Sequence, residues 1–292
     1  MSATQTLWSR ASLPSAADAG SSAAPEPEHN SPTPRTLVTL ATYNERENLP
    51  PLVREILATD AAVDVLVIDD NSPDGTGRLA DEMAAEDARV RVLHRSGKLG
   101  LGSATMAGLR YALDHSYDLV LNMDADFSHH PRHIPAILRE AGRADVVIGS
   151  RYVRGGGVVG WGWLRHVMSS GINLYSRLLL RLPVRDTSGA FRCYRTAKIR
   201  EIDLTQMLSR GYSFQEEFLY RCRQAGARMR ETPIVFQDRE SGSSKINAGE
   251  ALAALVIILR LGWQNIFAPG RPHAGSPETD PRRAGRLTGN PC

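Results

Sequence analysis

The sequence predicts an α/β fold, a mostly parallel central sheet flanked by helices. Two features of its 292 residues carry that expectation. Short β-branched runs alternate with longer helical stretches, the rhythm of βα units whose strands lie parallel. Several of the apolar runs also stop abruptly at polar turns, and in parallel sheets ligands gather at those strand ends.

Thr36–Ala41 is the first strand, followed by a polar turn and a helix from Glu45 to about Ala58. Val63–Ile68 is a second strand that halts at Asp69-Asp70, before the turn formers Asn71-Ser72-Pro73-Asp74-Gly75. A helix over Thr76–Glu86 and a strand over Val90–His94 come next. Gly100-Leu101-Gly102 then opens a helix from Ser103 to His115. Asp118–Met123 is a strand that runs straight into Asp124-Ala125-Asp126. A helix over 131–142 and a strand over 144–149 complete this half. The folded body is expected at 35–267. Residues 1–34, rich in Ala, Ser and Pro, and the Gly- and Pro-containing 268–292 read as disordered extensions.

Net charge is only +3, with 42% hydrophobic and 23% charged residues, so the chain can bury a core and has no nucleic-acid footprint. Three scattered cysteines, Cys193, Cys222 and Cys292, build neither a disulfide framework nor a zinc site, and point to a reducing cytoplasm. The longest apolar run, Ala251–Leu259, is well short of the roughly 20 residues a membrane span needs.

Asp124 and Asp126, one residue apart at a strand exit with small Ala125 between them, suit a hard cation such as Mg²⁺ or Mn²⁺ together with a diphosphate. Asp70 at a second exit can accept hydrogen bonds from a base or ribose, and Tyr43 and Glu45 add an aromatic face and a carboxylate at a third. Arg239 and Lys245 bracket a Ser- and Gly-rich stretch, a composition for a mobile phosphate-binding loop. His129 and His130 precede Pro131, where a helix-entry role outranks metal ligation.

Taken in order, Ala41-Thr42-Tyr43-Asn44-Glu45, Ile68-Asp69-Asp70-Asn71-Ser72-Pro73-Asp74-Gly75, Asp124-Ala125-Asp126-Phe127-Ser128-His129-His130-Pro131, Gly149-Ser150-Arg151-Tyr152, Asp186–Arg192 and Asp238–Lys245 resemble the dolichyl-phosphate mannosyltransferase family. That resemblance implies a GT-A (Rossmann-like) glycosyltransferase. It would move mannose from GDP-mannose to a dolichyl or other polyprenyl phosphate, with inversion, using Mg²⁺ or Mn²⁺. It places Ala41, Tyr43, Glu45, Ile68 and Asp70 around the nucleoside. Asp124, Ala125 and Asp126 would hold the metal and diphosphate, with Asp126 catalytic. Arg151, Arg239 and Lys245 would meet phosphates, and Arg151 and Arg165 would be catalytic as well, holding the attacking phosphate of the acceptor. Family members usually carry proline at the position of Ala41, a departure expected to weaken donor binding at most.

A polyprenyl acceptor calls for contact with lipid. Ile172, Tyr175, Leu179 and Leu182 recur at helical spacing, with core packing the favoured reading. The apolar 248–267 segment suits packing, the membrane interface or docking on an anchoring partner subunit. Peripheral attachment at the cytoplasmic face of a membrane, the endoplasmic reticulum in a eukaryote, is the corresponding expectation. A UDP-sugar donor such as UDP-glucose, and a non-catalytic scaffold, stay open as alternatives. A sugar nucleotidyltransferase is disfavoured, because Thr42-Tyr43-Asn44-Glu45 stands where its glycine-rich loop would follow the first strand.

Overall fold

The computed structural model describes residues 33–59, 62–209, 211, 213–238 and 255–263. All its elements belong to the unit that begins at Pro34. The expected extensions, apart from Thr33 and Pro34, lie outside the described residues, as do Arg239, Lys245 and most of 248–267.

The first half runs β1 Thr36–Thr42, α1 Leu49–Thr59, β2 Val63–Asp69, α2 Thr76–Glu86, β3 Val90–His94, α3 Leu101–Asp114, β4 Leu119–Asp124, α4 Ile134–Ala141 and β5 Val146–Ser150. The second half adds β6 Gly157–Val159, α5 Trp163–Leu179, β7 Arg192–Arg195, α6 Thr196–Ile199, α7 Phe214–Gln224, β8 Met229–Pro233 and β9 Val235–Gln237. A last helix, α8, covers 255–263. The main sheet has the order β3-β2-β1-β4-β7-β5-β8, and β6 pairs with β9 apart from it. Within the main sheet only β7 runs against its neighbours, β4 and β5. The expected mostly parallel α/β architecture is therefore present.

Alternation along each strand sorts side chains onto two layers. Val38, Leu40, Val65, Val67, Leu121 and Met123 pack with α1 and α4 through Leu52, Ile56, Ile134 and Ile137. Leu37, Leu66, Ile68, Val120 and Ile148 pack on the other side with Leu109 and Ala112 of α3, Phe214 and Phe218 of α7, and Ile258 and Leu261 of α8. A strand buried on both faces is mostly apolar, which is why these runs were readable. Gly108 lets α3 approach the sheet, since a Cβ there would sit 3.0 Å from Ile68 Cδ1 and Thr39 Cγ2.

Boundaries differ where turns intervene. Helix α1 begins at Leu49, not Glu45, because Asn44 adopts a left-handed conformation (φ 62°) and Glu45 stays in the turn. The stretch 131–142 is a 3₁₀ turn over Pro131–His133 followed by α4, with Pro135 in its first turn. Among the described residues no helix is long and apolar enough to cross a membrane. Cys193 and Cys222 are buried and unpaired, and burial pushes both thiols up to about 12, so they are inert.

Candidate active site

Because β1 lies between β2 and β4, the winding of the sheet reverses there, and a crevice opens at the carboxyl ends of these strands. Register places Ala41 opposite both Ile68 and Asp124. A cavity of about 240 Å³ occupies the crevice, lined by Ala41, Thr42, Tyr43, Glu45, Asp70, Lys98, Gly100, Leu101, Ala104, Asp124, Ala125, Asp126 and Gly211. Motifs from three strand exits thus share one site. Ile68 is one step out of phase: its side chain is 1% exposed and points into the core beneath α3.

The adjacent acids of β2 divide their work. Asp69 is consumed by the turn, accepting from Thr42 Oγ1 at 3.0 Å, Ser72 N at 3.0 Å and Ser72 Oγ at 2.6 Å. Asp70 faces the cavity and pairs with Arg95 at 2.9 Å, off the line of a good hydrogen bond. Burial pushes its carboxyl up, and Arg95 opposes that shift. Glu45 is held in its turn by Thr76 Oγ1, which accepts its N–H at 3.0 Å, and by Asn48, which donates to its carboxylate at 2.9 Å.

Asp124 ends β4, and Asp126 caps the next turn by accepting Ser128 N–H at 3.1 Å. Phe127, just after Asp126, sits at φ 61°, a rare conformation for a bulky side chain that turns the chain away beyond the Asp124-Ala125-Asp126 strand end, which lines the cavity. His129 is buried, stacked on Phe191, and its Nδ1 accepts the Asp124 N–H at 3.1 Å. Burial holds its pKa below the usual imidazole value against the pull of Asp124 and Asp126. The ring is therefore a neutral prop for the Asp124 backbone, while His130 takes the helix-entry role by accepting Arg132 N–H at 3.3 Å. Among the described residues no cluster of three or more His, Cys, Asp or Glu could hold a metal. Asp124 and Asp126 nonetheless fit Mg²⁺ or Mn²⁺, because such ions accept one or two carboxylates and complete their shell with water and substrate phosphate.

Arg151 is not a free cation. Its Nε and Nη2 fork onto the buried Asp186 carboxylate at 2.8 and 2.7 Å, and Nη2 also donates to Ser188 Oγ at 2.9 Å. Burial works against both charges, yet each partner stabilises the other, so Asp186 lies below and Arg151 above its ordinary range. Arg165, in the first turn of α5, is 44% exposed, pairs with Asp238 at 2.8 Å and stacks on Trp161 at 4.3 Å.

Carboxylate-bearing strand exits surround a switch-point cavity, and comparison with known proteins decides the class. Residues 38–203 match the family described as Glycosyl transferase family 2. The chain belongs to that family. A relative from Micrococcus luteus, undecaprenyl-phosphate mannosyltransferase, is 43% identical over 80% of this chain and 98% of its own length. Polyprenol monophosphomannose synthase of Mycolicibacterium smegmatis is 44% identical over 79% of this chain and 88% of its own. Among solved structures, glucosyl-3-phosphoglycerate synthase from Mycobacterium tuberculosis with Mn²⁺, UDP-glucose and phosphoglyceric acid has a TM-score of 0.54 at 16% identity, covering 82% of each chain. The same enzyme with Mg²⁺ and UDP gives 0.53 at 17% identity, covering 80% of this chain and 79% of its own. At such identity the likeness establishes the GT-A-like fold of this family 2 transferase.

Several site residues of the family 2 enzyme escaped the sequence reading. Lys98 lines the cavity with its ammonium 4.9 Å from the Tyr43 ring centroid, and Arg95 backs Asp70. Both follow β3, so the strand-exit logic applied to β1, β2 and β4 would have found them. Asp186 and Ser188 stood within the Asp186–Arg192 motif, but at 35 and 37 residues from Arg151 nothing local tied them to it.

Proposed function

We propose that this family 2 transferase moves mannose from GDP-mannose onto a polyprenyl monophosphate, inverting C1, at the cytoplasmic face of a membrane. The observation that carries this reading is the Asp124-Ala125-Asp126 strand end facing Tyr43 and Asp70 across one cavity. The prenyl-phosphate mannosyl specificity of two relatives over about four fifths of the chain supports it.

Tyr43 offers a face for the base, and Asp70 an acceptor for base or ribose hydrogens. A phosphate monoester, with a second pKa near 6, is already a nucleophile at neutral pH and needs no strong general base. One of its oxygens bonds to C1 as the C1–O bond to the diphosphate breaks, and that bonding pair leaves with the diphosphate. Asp124 and Asp126 would hold Mg²⁺ or Mn²⁺, which would supply positive charge for the departing diphosphate. Arg151, locked by Asp186, adds a fixed positive charge beside the carboxylates, and Arg165 stands where α5 meets solvent. Arg239 and Lys245 complete the phosphate contacts in this reading.

The lipid chain of the acceptor has a matching surface. Ile172, Tyr175 and Leu179 are half-buried and Leu182 is buried, so that stripe packs inward. The outward side of α5 is apolar as well: Trp163 is 76% exposed and Leu178 67%, with Leu164, Val167, Met168 and Leu174 also exposed. Helix α8, whose Leu255 carbonyl accepts from Tyr175 at 3.3 Å, extends this face with exposed Val256, Leu259 and Trp263. Tryptophans and arginines around an apolar helix face suit the interface of an anionic bilayer. Leu164→Glu with Val167→Glu is expected to cut flotation with anionic vesicles about tenfold while leaving the melting temperature unchanged. Undiminished flotation would remove this face from membrane contact.

Transfer itself is tested with Mg²⁺, a polyprenyl phosphate and labelled GDP-mannose or UDP-glucose in parallel, following label into the organic phase. Transfer from GDP-mannose alone is expected. Transfer from UDP-glucose alone keeps site and fold but replaces the sugar, and transfer from neither overturns the reading.

A further inference from the structure

Helix α5 exposes six large apolar side chains, while its two buried residues, Asn173 and Ser176, are polar, unlike an ordinary surface helix. The buried Asn173 uses both ends of its amide. Its Oδ1 accepts Thr187 N–H at 2.7 Å, Thr187 Oγ1 at 3.0 Å and Ser188 N–H at 3.2 Å. Its Nδ2 donates to Ser169 O at 2.8 Å and Ser188 Oγ at 3.2 Å. Ser188 Oγ accepts from the Arg151 guanidinium at 2.9 Å. Two hydrogen bonds therefore join the buried side of α5 to Arg151. A parallel link runs from Ser169 Oγ to Tyr152 Oη at 2.7 Å, one residue from Arg151.

Arg151 has little freedom of its own, since its side chain is 8% exposed and held by Asp186 and Ser188. Close-packed interiors respond to a displaced helix by discrete shifts. A change in how α5 sits must then move the 187–188 backbone, and with it the guanidinium.

We infer that Asn173 is a positioning residue that couples the seating of α5 on a lipid surface to the placement of Arg151 for the acceptor phosphate. The inference rests on the lipid-facing reading of α5. It adds that membrane contact improves use of the acceptor headgroup, beyond concentrating its lipid tail.

The test separates the two by using a water-soluble short-chain prenyl phosphate as acceptor, with and without empty anionic vesicles. The readout is the ratio of acceptor KM without vesicles to that with them, taken within each protein, alongside donor KM, flotation and melting temperature. The wild type is expected to float and to show a ratio of about five or more, the lower range of allosteric coupling. Asn173→Ala is expected to float equally and give a ratio near one, with donor KM unchanged. Should that variant fail to fold, Ser188→Ala, a smaller change that cuts the same link, is expected to lose the ratio too. A wild type that does not float overturns the lipid-facing reading and this inference together. A wild type that floats with a ratio of one overturns the inference alone. So does a folded variant that keeps the ratio, or one whose donor KM shifts in step with its acceptor KM.

Discussion

Asp126→Ala is expected to lower kcat about a thousandfold or more at saturating Mg²⁺ or Mn²⁺, roughly 4 kcal/mol of transition-state stabilisation. The acid lies two residues beyond Asp124, lines the same cavity and directly precedes the left-handed turn at Phe127. In the proposed mechanism its loss would leave a single carboxylate to hold the cation that meets the charge of the leaving diphosphate. The fold should survive, since Asp126 stands in a turn at the rim of the cavity, where its Ser128 N–H contact is local. Steady-state kinetics with a metal titration, beside a melting curve, reads both effects. More than a tenth of wild-type kcat at saturating metal would take Asp126 out of this role.

Asp186→Ala is expected to cost about 3–5 kcal/mol of stability, because it strands a buried guanidinium without its counter-charge. That is a large share of the roughly 5–15 kcal/mol that holds a domain folded. The midpoint of urea unfolding measures it, and a midpoint within error of wild type would refute the argument. Arg151→Met in the same background should recover part of the loss by removing the orphaned charge. The pH dependence has a definite sign. The folded Asp186 carboxyl is held below its unfolded value, so its contribution is full above the ordinary carboxylate range. It drains away as pH falls through the depressed value. The wild type should therefore lose stability in acid more steeply than Asp186→Ala.

Legibility differed from residue to residue for physical reasons. Strands β1, β2 and β4 were readable because burial on both faces forces mostly apolar runs. Their polar ends were readable because the chain must turn there. Asp69 and Asp70 were not separable in the sequence: both end β2, and only the turn geometry commits one to Thr42 and Ser72 and leaves the other to the cavity. Ile68 was expected at the nucleoside, but strand alternation turns it into the core. His129 and His130 looked equivalent before Pro131, and burial against Phe191 separates the prop from the cap.

The linear order of residues by itself determined the α/β class, the strand exits and the carboxylates that meet at them, since these follow from local periodicity and turn chemistry. Tertiary structure alone decided how β7 slots antiparallel between β4 and β5, which acid locks Arg151, and which side of α5 faces out. Each of those depends on groups dozens of residues apart. Local pattern is blind to such distances, while burial and charge pairing are governed by them.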